Sequence, residues 1–326
     1  MGFGFMTRFA KYAWAVLAYN LLVVMWGAYV RASGSGAGCG SHWPTCGGEV
    51  IPRAPEIATI IEFAHRLTSG LALISVVVLF ILALKAYDKR SRVWIGSLLA
   101  VILMLFEALI GAGLVLFELV AENKSVARAL FMSVHLVNTF FLLAIIALTS
   151  WWASGGPGIQ LRKQGALSFA VFLGLSGLLV LGVSGAVTAL GDTLFPAKSL
   201  AEGLTQDFSQ TAHFLLRLRV IHPFLALGVG LYSIALAVFA SVSRQSAWTK
   251  RWAFALVCLV VVQLSIGLIN LVLLAPIPLQ LIHLLLADLM WLALVLMSAS
   301  ALGQPKEVLE KLPPQPNFNP QFSSSR

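Results

Sequence analysis

Eight apolar runs of about 20 residues or more occupy this chain, and no large soluble domain fits between them. They lie near 12–30, 57–86, 94–118, 126–151, 166–190, 211–241, 251–274 and 279–302. A helix rises about 1.5 Å per residue, so roughly 20 residues cross the ~30 Å hydrocarbon layer of a membrane. Only 11% of the 326 residues are charged and 59% are hydrophobic; a soluble domain carries about 25% charge. The expected fold class is therefore all-α, a polytopic membrane protein with eight transmembrane helices.

The formal charge of +9 would suit nucleic acid, but its placement reads as a topology signal. Fourteen Lys and Arg residues lie in the N-terminus, the even-numbered loops and the C-terminus. Five lie in the odd-numbered loops, and three (Arg66, Arg217, Arg219) lie within helices. The positive-inside rule then puts both termini in the cytoplasm of a multi-pass protein of the cell (inner) membrane, with the odd loops outside. The first run is too long for a cleaved leader and reads as a retained helix. From Gln304, with Pro313, Pro314, Pro316 and Pro320, residues 304–326 read as a disordered cytoplasmic tail.

The two halves repeat. Gly27-Ala28 matches Gly185-Ala186, Ile110-Gly111 matches Ile266-Gly267, His65 matches His222, and His135 matches His283. The offsets are 158, 156, 157 and 148, the last implying a shorter outer loop before the eighth run. The expected organisation is two pseudo-symmetric four-helix bundles, residues 1–160 and 161–303.

Four histidines therefore sit on alternate runs, all in the outward half of the membrane. His65 lies about eight, His135 about nine, His222 about eleven and His283 about four residues into its run. Coordinating groups are costly in a membrane and need a reason to be there. One such histidine is often only an interhelical hydrogen bond. Four at repeated positions point to haem iron, held in each bundle between one imidazole from each of two helices. Zinc is less well supported, because no further Cys or carboxylate cluster lies at ligand spacing. His213, nine residues before His222, falls on the opposite helical face and reads as interfacial; His42 reads as a solvated loop residue.

Glu62 is one turn outward of His65 on the same face, placed to move protons or to stabilise a cation. The plainer reading is an acid favoured by a helix N-terminus. Glu107 and Asp288 are further buried acids, expected to serve as hydrogen-bonding groups. Arg66 and Arg219 are candidates to pair haem propionates, against the alternative of snorkelling to the outer interface. Cys39 and Cys46 share a Gly-rich outer loop and can form a disulfide in an oxidising compartment, shaping a lid over the first site or exchanging with a thiol donor. Cys258, mid-helix, reads as inert packing.

These residues together resemble the heme A synthase family. The resemblance rests on Gly27-Ala28-Tyr29-Val30-Arg31 with Ser33-Gly34-Ser35-Gly36, on Cys39 through Trp43-Pro44 to Cys46, on Glu62-Phe63-Ala64-His65-Arg66, and on His135, His222 and His283. It implies oxidation of the C8 methyl group of haem O to a formyl group by successive hydroxylations, giving haem A for terminal oxidases. By that likeness His65 and His135 hold the substrate haem O, with Glu62 as the catalytic residue that stabilises a cation or accepts protons. His222 and His283 hold a haem b cofactor, and haem O synthase and an electron acceptor are the implied partners. Two features depart from the pattern. Residues 191–210 lack the second cysteine pair of some members, and Pro223 stands where the first half has Arg66. A transmembrane b-type cytochrome oxidising quinol would need the same histidines but neither Glu62 nor the cysteine loop. A transporter would use the histidines as a proton relay. A prenyltransferase is disfavoured, since Asp88, Asp192, Asp207 and Asp288 form no cluster.

Overall fold

The computed structural model describes residues 6–162 and 164–303. The expected tail, 304–326, lies outside them. Eight long helices cover the eight apolar runs: α1 Arg8–Ala32, α2 Ile57–Ala86, α3 Arg92–Leu116, α4 Val126–Ala153, α5 Ala166–Leu194, α7 Phe214–Ser243, α8 Ala247–Val272 and α9 Ile277–Ala301. All eight are long and apolar enough to cross a membrane, and the described residues form a multi-pass membrane fold. A short helix, α6 Leu200–Asp207, lies between α5 and α7.

Local signals explain where helices begin. Ser91, Ser125 and Ser246 cap α3, α4 and α8, each side chain accepting a hydrogen bond from the third backbone N–H that follows. The sixth apolar run starts at 214 rather than 211 because His213 is itself the cap of α7, accepting from Leu215 N at 3.4 Å. Its ring lies between Phe195 and Phe214, with centroids 5.1 and 4.5 Å away.

The helices pack as two four-cornered sets. In the first, α1 and α3 each pack on both α2 and α4, so α2 and α4 stand at opposite corners. In the second, α5 and α8 each pack on both α7 and α9, while α7 and α9 barely touch. The histidine helices are thus the diagonal pair in each set. The sets join where α4 packs on both α5 and α9 and α1 packs on α9, and α9 is the most enclosed of the eight spans. Phe140 of α4 and Trp291 of α9 stack at 5.1 Å between centroids, and Trp291 Nε1 donates to the Phe140 carbonyl at 2.7 Å. Arg31, at the end of α1, reaches across the same junction and donates to Ala189 O (2.7 Å), Thr193 Oγ1 (2.6 Å) and Gln280 Oε1 (2.9 Å).

His65, His135, His222 and His283 are the ninth, tenth, ninth and seventh residues of their helices. That places all four about 9–14 Å from the same kind of end, closer in level than the apolar runs alone suggest. The offset of 148 has two sources. The loop before α9 (273–276) is five residues shorter than that before α4 (117–125), and His283 lies three positions nearer its helix start than His135.

Candidate functional site

The histidines rest on glycines, which explains why the glycine and histidine repeats travel together. A Cβ on Gly27 of α1 would stand 3.0 Å from Cε1 of His65; on Gly185 of α5, 3.1 Å from Cε1 of His222; on Gly267 of α8, 3.0 Å from Cε1 of His283. Each imidazole lies against the bare backbone of a neighbouring helix, a close approach that only glycine permits without displacement. The fourth glycine breaks the pattern, for Gly111 has open space at its Cβ position. His135 instead turns to Glu107, one turn earlier on α3, with Nδ1 at 3.1 Å from Oε1 but outside hydrogen-bond alignment.

Across the second set the rings of His222 and His283 stand edge to face, with centroids 6.5 Å apart and planes at 82°. Two imidazoles bound to one iron from opposite sides need about 2 Å per metal–nitrogen bond plus about 1 Å from each nitrogen to its ring centre, roughly 6 Å in all. Ser184, beside the cradle glycine, lies 2.8 Å from Nδ1 of His222 and leaves Nε2 available. Gln263 of α8 meets Nε2 of His283 at 3.3 Å, while Nδ1 of that ring is buried without a partner. Nδ1 of His65 is buried and unpartnered too. Among the described residues no three of His, Cys, Asp and Glu converge on one point. The ligands come in twos, the number that a porphyrin leaves open on its iron, so the residues present fit a haem.

Filling a cradle tests this fit. Gly185→Val would drive methyl groups into the space of the His222 ring. The expected result is haem retention reduced by about tenfold or more with helix content unchanged, read by absorption and far-ultraviolet circular dichroism of the purified protein.

One turn outward of His65, the first set carries a buried carboxylate. Glu62 Oε2 accepts from Cys39 N at 2.8 Å, and Oε1 accepts from Arg66 Nε at 3.1 Å and Nη2 at 2.5 Å. Arg66 Nη1 donates to the carbonyls of His42 (2.7 Å) and Thr45 (2.6 Å). Cys39 and Cys46 form a disulfide, and Thr59 Oγ1 donates to Gly38 O at 2.7 Å. At Gly38 a Cβ would stand 2.4 Å from the Ala58 backbone, so the loop lies directly on the start of α2. The cysteine loop is laced onto the Glu62 turn by hydrogen bonds and close packing.

At the matching place in the second set the charge is reversed. Arg219 precedes His222 by three residues, as Glu62 precedes His65. Arg219 donates to Asp192 Oδ1 (2.9 Å) from Nη1, and to Asp207 Oδ1 from Nε (3.0 Å) and Nη2 (2.5 Å). Both candidate propionate arginines thus already have protein partners, and a propionate would share or displace them. Asp207 comes from the end of α6, which nothing in the apolar pattern foretold. Asp288, expected to hydrogen-bond, is fully buried and neither oxygen has a hydrogen-bond partner. Ser184, Gln263, Asn138 and Thr139 are contributors that sequence reading missed. Gln263 could have been found, since it sits 156 residues after Glu107, the offset of Gly111 and Gly267.

Residues 10–295 match the family described as Cytochrome oxidase assembly protein (COX15-CtaA). A Thermus thermophilus protein named protoheme IX farnesyltransferase is 54% identical over 296 residues, which is 91% of this chain and 49% of that protein. Proteins named heme A synthase are similar over shorter lengths. That of Alkalihalophilus pseudofirmus is 40% identical over 40% of this chain and 41% of its own length. The one from Halalkalibacterium halodurans is 44% identical over 30% of this chain and 33% of its own. The chain spans about half the length, or less, of the curated relatives it matches.

Proposed function

Because the chain belongs to the COX15-CtaA family of cytochrome oxidase assembly proteins, we propose that it is a heme A synthase, oxidising the C8 methyl group of haem O to a formyl group. The observation that carries the reading is the asymmetry between two similar histidine sites. Both have the diagonal histidines a haem would need, but only the first has a carboxylate, Glu62, one turn outward of its leading histidine under a disulfide-closed loop, where the second has Arg219.

Under this reading His65 and His135 hold the substrate haem O, and His222 and His283 hold haem b. Converting methyl to formyl consumes one water and releases four electrons and four protons, through a hydroxymethyl stage. Haem b, when bound, supplies a one-electron relay from the first site to an acceptor. The chain's own residues do the rest. His65 and His135 fix the plane of the substrate. The Cys39–Cys46 loop covers its outer edge. Glu62, with its charge held in place by Arg66 and Cys39 N, stabilises positive charge at the reacting carbon and accepts a proton through water. The outward level of the site, with both termini cytoplasmic in the cell membrane, follows from the lysine and arginine distribution.

The name of the Thermus thermophilus relative describes prenyl transfer. That chemistry calls for carboxylates clustered on magnesium and diphosphate, whereas here Asp192 and Asp207 meet on the cation Arg219, and among the described residues no three of His, Cys, Asp and Glu converge. We assign that activity to the part of the relative outside this match. A farnesyltransferase is then the natural supplier of the substrate.

Expression with haem O supplied, followed by extraction and identification of the haems, tests the function. Hydroxylated haem O and haem A are the expected products. Unchanged haem O with two b-type haems bound would identify an electron carrier, and a colourless protein would reject haem binding altogether.

A further inference from the structure

Glu107 and Gln263 hold the same station in the two halves. Each lies four residues before a paired glycine, Gly111 or Gly267, and each meets the histidine on the last helix of its set, Glu107 at Nδ1 of His135 and Gln263 at Nε2 of His283. One is a carboxylate and the other an amide. Resting on the haem-binding reading above, we propose that this exchange sets the direction of electron flow: Glu107 is a positioning residue that gives the iron held by His65 and His135 a lower reduction potential than the iron held by His222 and His283.

The carboxylate is built in. Asn138 Nδ2 donates to Glu107 Oε2 at 2.5 Å and also to Leu103 O at 2.9 Å. Thr139 Oγ1 shares its one proton between Glu107 Oε1 and His135 O, the latter at 2.9 Å. Both donors stand on α4 one turn past His135, so the acid is fixed within reach of Nδ1, at 3.1 Å. With Nδ1 turned to Glu107, Nε2 is left as the ligand atom. A carboxylate behind a ligating imidazole raises its basicity and favours the more positive ferric state. In the second half, the positions three and four past His283 are Leu286 and Ala287, which offer no side-chain donor. Gln263 carries no charge, and its Oε1 is buried without a hydrogen-bond partner. An electron removed at the first site is therefore driven toward the second.

The test is spectroelectrochemical titration of the purified full chain loaded with haem b. The His222→Ala background isolates the first site and the His65→Ala background isolates the second. The first midpoint should lie below the second. Glu107→Gln should raise it, and Gln263→Glu should lower the second, each changing the inter-haem equilibrium by about tenfold, or about 59 mV for a one-electron couple. Glu107→Asp should restore part of the shift, which a purely structural role would not produce. If haem is retained and the midpoints of Glu107→Gln and Gln263→Glu match their parents, the proposal is overturned. Should Glu107→Gln lose its haem, the Gln263→Glu midpoint decides alone. Failure of the unaltered chain to bind haem would instead sink the haem-binding reading, and this proposal with it.

Discussion

Glu62→Gln is expected to cut conversion of haem O by about 10²–10³-fold while leaving haem binding intact. Removing a preorganised charge or a proton acceptor at a reacting centre has effects of that size. Glutamine keeps an oxygen for the Cys39 N–H, and Arg66 keeps the His42 and Thr45 carbonyls, so the loop stays docked. Alanine would be a poorer probe. It strands a largely buried guanidinium whose side chain is 13% exposed, and breaking a buried pair costs about 3–5 kcal/mol. Extracted haems from cells expressing Glu62→Gln should be dominated by haem O, with absorption bands of the bound pigment unshifted. Conversion within about threefold of the unaltered chain, well short of the effect expected of such a group, would remove Glu62 from the chemistry.

His222→Ala should empty the second site and stop turnover. The ring contributes a ligand nitrogen, is oriented by Ser184 and fills the hollow over Gly185. Loss of a supporting partner alone costs about 10–100-fold in metal affinity, and loss of the ligand itself should exceed that. The absorption belonging to the second haem should vanish while that of the first persists. A purified His222→Ala protein with undiminished pigment and full conversion would dismiss the assignment of haem b to this pair.

The spans were legible because an apolar run long enough to cross a membrane has few alternatives to a helix. The diagonal placement of the histidine helices was also within reach, because the ligands fall on alternate runs. Boundaries shifted where a polar residue took an unforeseen local role, as His213 did by capping α7. Helix α6 escaped the search for long runs although it carries a start signal. Ser199 is its N-cap, with Oγ accepting from Glu202 N (3.2 Å), and Glu202 Oε2 reaches back past the cap to accept from Lys198 N (2.9 Å). The contacts of Arg31 with Ala189, Thr193 and Gln280 lay beyond any local signal, since they depend on how the two sets dock. Glu107 was visible as an acid in a helix, but its partnership with His135 required knowing that α3 and α4 are neighbours.

The Phe140–Trp291 stack has a bearing on conduction. Phe140 lies five residues past His135 on one ligand helix, and Trp291 lies eight past His283 on the other. Ring overlap and one N–H···O link rivet those two helices together. Under the proposed function, such a joint would hold the spacing between the two sites, and charge would pass from one to the other without waiting for the helices to swing.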